Sequence, residues 1–144
     1  MGGDGVEHWE YLKPDGLRFV WDDTLFRPGT DSFLLSSLPK LSAGLRVCDL
    51  GCGTGLLGLL LLQRQSELTI TGIDIQPAAV ALAERAAAEN RLTDRLTFRC
   101  IDLRQVRQHF STGSFDLVVC NPPYYPPASG KVSADNARLS LIHI

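Results

Sequence analysis

The tetrapeptide Asn121-Pro122-Pro123-Tyr124 directly follows the apolar run Phe115-Asp116-Leu117-Val118-Val119-Cys120. Two consecutive prolines remove two backbone donors and fix φ, so the chain leaving that run is stiff. Its carbonyls and the Asn121 amide are then directed into one place. A planar amine, such as the exocyclic nitrogen of adenine or a carboxamide nitrogen, carries two N–H donors that a pair of acceptors of this kind can bind. Tyr124 adds a ring face for stacking. Taken alone, the tetrapeptide is equally a rigid loop after a strand, and the upstream residues decide between the two readings.

Upstream, Val47-Cys48-Asp49-Leu50-Gly51-Cys52-Gly53-Thr54-Gly55 reads as a strand running through a glycine turn into a helix. Glycines there let the backbone turn sharply and let a ligand approach main-chain atoms with no Cβ in the way. Asp74 ends the next strand, 23 residues beyond Gly51, where a carboxylate can accept from a ribose diol. Both features suit either a dinucleotide or S-adenosylmethionine. A dinucleotide fingerprint requires G-x-G-x-x-G, but Leu56 stands at the last position and Gly55 comes one residue early. Asp49 beside the glycines repels a pyrophosphate and attracts the ammonium of a methionine moiety. The methyl donor is therefore the better fit. Asp102, after the third strand, can accept from the amino group of the cofactor's adenine; for any one of these aspartates, a helix cap after a strand is the competing account.

The elements that must position these residues are legible from Leu45 onward. Strands are predicted at Arg46–Leu50, Leu68–Asp74, Leu96–Ile101 and Phe115–Cys120. A leucine-rich helix at about 56–64 and an alanine-rich one at about 77–90 lie between the first three, the latter opened by Pro77. A shorter helix follows Asp102. This alternation predicts an α/β fold with a doubly wound parallel sheet and helices on both faces. Residues 1–16, ending in Pro14-Asp15-Gly16, are expected to be a loosely held extension. Leu17–Trp21 and Thr24–Phe26, flanking Asp22-Asp23, form a hairpin-like pattern. Thr30 or Asp31 is placed to cap a short helix that Pro39 ends.

The chain has 144 residues, 44% of them apolar and 21% charged, ordinary proportions for a single globular domain. Its net charge of −2 provides no general attraction to nucleic acid or anionic membranes, so an RNA partner requires a local patch, for which Arg99, Arg104 and Arg107 are candidates. The leucine-rich stretch from Leu56 to Leu62 contains Gly58 and is too short to span a bilayer. With no signal-type segment at the N-terminus, a cytoplasmic location is expected. Cys48, Cys52, Cys100 and Cys120 fall in or beside apolar runs without a second CxxC or a histidine pair, so they are expected to be buried core thiols, with neither metal nor disulfide.

In order and spacing, Asp49-Leu50-Gly51-Cys52-Gly53-Thr54-Gly55, Asp74, Asp102 and Asn121-Pro122-Pro123-Tyr124 resemble the successive motifs of Rossmann-like class I S-adenosylmethionine-dependent methyltransferases that modify planar nitrogens. The resemblance runs from about Leu17 to Arg138. Phe26-Arg27-Pro28-Gly29-Thr30-Asp31-Ser32-Phe33-Leu34-Leu35 and the doubled tyrosine Tyr124-Tyr125 are most similar to bacterial valine tRNA adenine-N6 methyltransferases. It implies that Asp49, Gly51, Gly53 and Gly55 surround the methionine part of the cofactor, that Asp74 binds ribose and that Asp102 and Leu103 contact adenine. Thr30 and Asp31 would reach the methionine carboxylate and ammonium, and Asn121, Pro122 and Tyr124 would hold the acceptor, with Tyr125 shaping the pocket mouth. The implied partner is tRNA.

Similar NPPY sequences occur in enzymes that methylate a glutamine of release factors or ribosomal proteins, and a non-catalytic nucleoside-binding fragment is a further alternative. The glutamine enzymes carry a helical domain before the core, whereas only about 40 residues precede the core here. The chain is expected to divide into an N-terminal extension over 1–40, a core over 41–138 and an atypical tail over 139–144. Class I methyltransferases resemble a seven-stranded sheet, so this chain reads as the N-terminal half to two-thirds of one, and an uncovered edge on the fourth strand is expected.

Overall fold

The computed structural model describes residues 5–25, 30–121 and 141–142. The first element is an antiparallel hairpin of β1 (Glu7–Tyr11) and β2 (Arg18–Asp22), with Glu7 opposite Asp22 and Tyr11 opposite Arg18. The turn is built by Pro14-Asp15-Gly16: Gly16 N donates to Lys13 O at 2.9 Å, Leu12 N donates to Leu17 O at 2.7 Å, and Asp15 takes a positive φ of 59°. This corrects two expectations. The segment before Gly16 contains a strand, and the hairpin does not turn at Asp22-Asp23. Instead Asp22 Oδ1 accepts from Thr24 N and Oγ1 at 2.7 and 2.6 Å, a local turn after the strand has ended. Phe26, the last residue of the expected second arm, lies outside the described residues.

Helix α1 (Thr30–Ser37) follows, then β3 (Arg46–Leu50), α2 (Leu56–Arg64), β4 (Thr69–Asp74), α3 (Pro77–Glu89) and β5 (Leu96–Cys100). A 3-10 turn (Leu103–Gln105) leads into the single helical turn α4 (Val106–His109), and β6 (Leu117–Cys120) and β7 (Leu141–Ile142) complete the sheet. These bounds lie within two residues of those predicted for the core strands and helices. Thr30 and Asp31 fall inside the first turn of α1, so neither is the residue preceding the helix.

The sheet order is β5-β4-β3-β6-β7, with the first four strands parallel. The chain therefore winds outward from β3 through β4 to β5, then returns to place β6 on the other side of β3. The strand order reverses between β3 and β6, and the carboxyl ends there flank a crevice in which open α/β sheets bind ligands. The expected uncovered edge of β6 is paired: β7 runs antiparallel to it, with Leu141 opposite Val119 and Ile142 opposite Val118. An apolar dipeptide here meets backbone groups that an edge strand leaves open.

Because side chains alternate along each strand, the sheet carries apolar layers on both faces. Val47, Ile70, Leu96 and Val119 pack with α2 and α3 on one side. On the other, Cys48, Ile73 and Val118 pack with Ile101, Phe115 and the ring of Phe110. Every residue of α2 from Leu56 to Leu62 is buried, since α1 covers the side turned away from the sheet. Arg64 fastens the two helices by donating to the Ser36 and Pro39 carbonyls at the end of α1.

Candidate active site

The loop after β3 is shaped by three positive-φ glycines, Gly51 at 72°, Gly53 at 55° and Gly55 at 90°, a backbone that side-chain-bearing residues rarely adopt. Gly51 N and Cys52 N both donate to Ile73 O, at 2.7 and 3.0 Å, so the loop folds over the end of β4. The glycines then differ. Among the described residues a Cβ at Gly51 or Gly53 would meet nothing within 4 Å, whereas one at Gly55 would stand 3.0 Å from Phe98 Cζ and 3.3 Å from Ala83 Cβ. Gly51 and Gly53 thus face open space, and Gly55 faces the packing of α2 against β5 and α3.

Asp74 holds this loop in place. Its Oδ2 accepts from Gly53 N at 2.8 Å and its Oδ1 from Gln76 N at 2.9 Å, tying the glycine turn to the start of α3. Asp49, 1% exposed, has no hydrogen-bond partner on either oxygen among the described residues. Burial, and after it the negative charge of Asp74, pushes its carboxyl from 3.8 up to about 8. Surrounding thiols are displaced in the same sense: burial and then Asp49 raise Cys48 to about 12 and Cys120 to about 11. Two carboxyl oxygens without a partner among the described residues, beside two open glycine faces, are the acceptors a bound ammonium would meet, so the residues fit S-adenosylmethionine.

Along the crevice, Ile101 N donates to Asp74 O at 3.0 Å and Cys100 Sγ to Ile75 O at 3.5 Å, bringing the ends of β4 and β5 together. Asp102 caps the 3-10 turn through Arg104 N at 2.9 Å and pairs with the Arg104 guanidinium, which holds its carboxyl down to about 2. Ile75, 58% exposed, and Leu103, 40% exposed, are large apolar side chains left uncovered at these strand ends. Leu103 was anticipated from the sequence and Ile75 was not, because exposure beyond a strand end has no sequence signature. Cys48 and Cys52 are buried, but Cys100 is exposed and Cys120 half-buried, correcting the expectation that all four cysteines are buried; Cys100 ends β5, at one edge of the sheet.

Asn121, at the end of β6, donates from Nδ2 to Ser32 Oγ at 2.8 Å, so the first turn of α1 reaches the crevice. Asp31 is exposed in that turn, beside Ser32. Pro122, Pro123, Tyr124 and Tyr125 lie outside the described residues. Among the described residues no group of three or more His, Cys, Asp or Glu is placed to hold a metal, and no helix is long and apolar enough to cross a membrane.

A parallel sheet with this reversal, a glycine loop and acidic strand ends has the arrangement of a Rossmann-like class I methyltransferase fold. It is shared with the crystal structure of an S-adenosylmethionine-dependent methyltransferase from Thiobacillus denitrificans in complex with S-adenosyl-L-homocysteine, at a TM-score of 0.54 and 26% identity over 68% of this chain and 38% of that one. Residues 20–142 match the methyltransferase small domain family, and the chain belongs to that family. It is 34% identical to the tRNA1(Val) (adenine(37)-N6)-methyltransferase of Enterobacter sp. over 81% of this chain and 49% of the relative. The enzyme of the same name from Yersinia enterocolitica is 33% identical over 88% of this chain and 52% of its own length. The chain thus spans about half the length of the curated relatives it matches.

Proposed function

We propose that the chain supplies the cofactor site and acceptor clamp of an S-adenosylmethionine-dependent methyltransferase acting on the N6 amine of an adenine in tRNA. The observation that carries this reading is a juxtaposition across the sheet's reversal point. The unpartnered Asp49 carboxyl and the open faces of Gly51 and Gly53 end one strand, and Asn121 ends its neighbour. The names of the curated relatives support the tRNA substrate.

When bound, S-adenosylmethionine supplies an electrophilic methyl group. Asp49 receives the ammonium, and Gly51 and Gly53 admit the ligand against the main chain while Gly55 keeps the loop packed on the sheet. Thr30 and Asp31, on the first turn of α1, serve the methionine end. Asp74 accepts from the ribose with the lone pairs its backbone donors leave free. Asp102 marks the adenine end, where Ile75 and Leu103 leave apolar side chains exposed beyond the ends of β4 and β5.

An adenine N6 lone pair is delocalised into the ring and poorly directed. The Asn121 side-chain oxygen and the Pro122 carbonyl accept its two hydrogens, favour a more pyramidal nitrogen and stabilise the positive charge that grows on it. No strong general base is needed, because the chief requirement is alignment. Tyr124 gives the unstacked base a surface worth roughly 1–3 kcal/mol.

The test is transfer of a tritiated methyl to unmodified bacterial tRNA and, in parallel, to a release factor, with wild type and Asn121→Ala. Label in tRNA as N6-methyladenosine, lost about 100-fold in the variant at unchanged cofactor affinity, is the expected result. Label in protein would move the acceptor to glutamine, and full turnover by Asn121→Ala would remove the clamp.

A further inference from the structure

A carboxamide is nearly symmetric in shape: turned through 180°, it exchanges its oxygen for an NH2 group. For a side chain meant to accept from a substrate amine, that turn is fatal, because two donors would then face each other. The side chain must also be held in place, so that the turn with oxygen forward is the one the acceptor's own N–H groups select. Among the described residues one contact holds it, the hydrogen bond from Asn121 Nδ2 to Ser32 Oγ at 2.8 Å, made between residues 89 apart in sequence; a hydroxyl both accepts and donates, so this contact anchors the carboxamide and is satisfied when the oxygen faces the acceptor.

Ser32 is built to hold still. It is 5% exposed, and α1 lies against the wholly buried leucine run of α2. The far end of α1 is tied down by Arg64, which donates to the Pro39 carbonyl at 3.1 and 3.2 Å. With Nδ2 engaged by Ser32, Oδ1 has no donor among the described residues and remains free to accept. The neighbouring serines of the helix behave differently: Ser36 and Ser37 donate to the carbonyls of Phe33 and Leu34 within α1, and only Ser32 reaches across to the crevice.

We propose that Ser32 is a positioning residue that anchors the Asn121 carboxamide at the crevice, accepting from Nδ2 while the oxygen meets the methyl acceptor, so that the first turn of α1 completes the clamp at the end of β6. This rests on the acceptor role given to Asn121 above. Ser32 touches neither substrate nor cofactor in this account. Its loss should therefore change turnover rather than ligand affinity.

The experiment compares wild type, Ser32→Ala, Ser32→Thr and Asn121→Ala for kcat of methyl transfer to tRNA, cofactor Kd and thermal midpoint. Ser32→Ala is expected to lower kcat about 10-fold, the scale of one lost anchoring hydrogen bond, with cofactor Kd within about 2-fold of wild type. Ser32→Thr keeps the hydroxyl and is expected to recover most of that loss. If Asn121→Ala abolishes transfer but Ser32→Ala turns over at the wild-type rate, the positioning role is overturned and the clamp stands. If Asn121→Ala remains active, the clamp itself fails. A Ser32→Ala loss that follows a fallen thermal midpoint and a weakened cofactor Kd, with no recovery in Ser32→Thr, would make Ser32 a packing residue and overturn the proposal.

Discussion

Asp49→Asn separates what the carboxyl contributes to the fold from what it contributes to the site. With both oxygens buried and unpartnered, its carboxyl is displaced from 3.8 to about 8, chiefly by burial and secondarily by Asp74. At pH 7 the native protein therefore keeps a proton that the unfolded chain has released. Between those two values the native state binds more protons, so stability from this group is fully present below 3.8 and is lost as pH rises toward about 8. At about 1.4 kcal/mol per pH unit, the loss reaches roughly 4 kcal/mol at pH 7. Asparagine has the same shape and cannot ionise, so it escapes that loss, while the remaining titratable groups affect both proteins alike.

The measurement is urea unfolding of wild type and Asp49→Asn, without cofactor, from pH 5 to 9. The stability difference should open in favour of asparagine by about 1.4 kcal/mol per pH unit and level off near pH 8. Cofactor binding should show the opposite preference. The carboxylate must ionise to receive an ammonium, so below about 8 wild type should release a proton on binding, read by titration calorimetry in buffers of different ionisation enthalpy. Its affinity should rise about tenfold per pH unit in that range, while Asp49→Asn binds weakly with no slope. A stability difference that stays flat across the range would mean that Asp49 is ionised in the empty protein, and the argument from an unsatisfied buried carboxyl would fail.

Gly53→Ala and Gly55→Ala should part company. At Gly53 a Cβ meets open space and bears only the cost of φ 55°, about 1 kcal/mol, so scanning fluorimetry should show a small drop in midpoint while cofactor affinity falls sharply. At Gly55 the same methyl group presses on Phe98 and Ala83, adding about 1–3 kcal/mol of overpacking, and a larger drop in midpoint for Gly53→Ala than for Gly55→Ala would reverse the roles assigned to them. Asp74→Ala strands the Gly53 and Gln76 amides and should cost about 1–3 kcal/mol of stability together with at least a tenfold loss in cofactor affinity, by calorimetry; a wild-type Kd would remove Asp74 from the site.

What the sequence discloses is local. A strand, a glycine turn and a leucine-rich helix follow one another within 46–64, and periodicity and turn chemistry over such a span depend little on the rest of the chain. Asp49, Asp74, Asp102 and Asn121 could be singled out as candidates because each stands within two residues of a strand end. What the sequence conceals depends on strand order. Cys100 is exposed at the end of β5 although Leu96 and Phe98 on the same strand are buried, and Asp49 is buried with no partner among the described residues; neither state follows from residue type or periodicity. Glu7–Tyr11 contains no β-branched residue, and its pairing depends on Arg18–Asp22 across the turn. Ser32 and Asn121 meet only in the folded chain, 89 residues apart.

The two halves of the site stand on adjacent parallel strands, and this fixes their spacing more firmly than loops could. In the β3–β6 ladder Asp49 lies opposite Val119 and Leu50 opposite Cys120, so the glycine loop and Asn121 leave the sheet side by side, with the strands about 4.8 Å apart. The opposite end of this ladder is locked. Asp116 accepts from Arg46 N, Nε and Nη2 at 2.9, 3.1 and 3.0 Å, and Asp116 N donates to Arg46 O at 2.7 Å. A register slip of one residue would turn Val119 off the α2 face and Val118 off the opposite layer, so the apolar layers enforce the same alignment as the Arg46–Asp116 pair. In-line transfer requires the reacting atoms to be held within a few tenths of an ångström. In the proposed function, a ladder pinned at its far end, a glycine loop tied to β4 and an amide anchored from α1 supply that rigidity among the described residues.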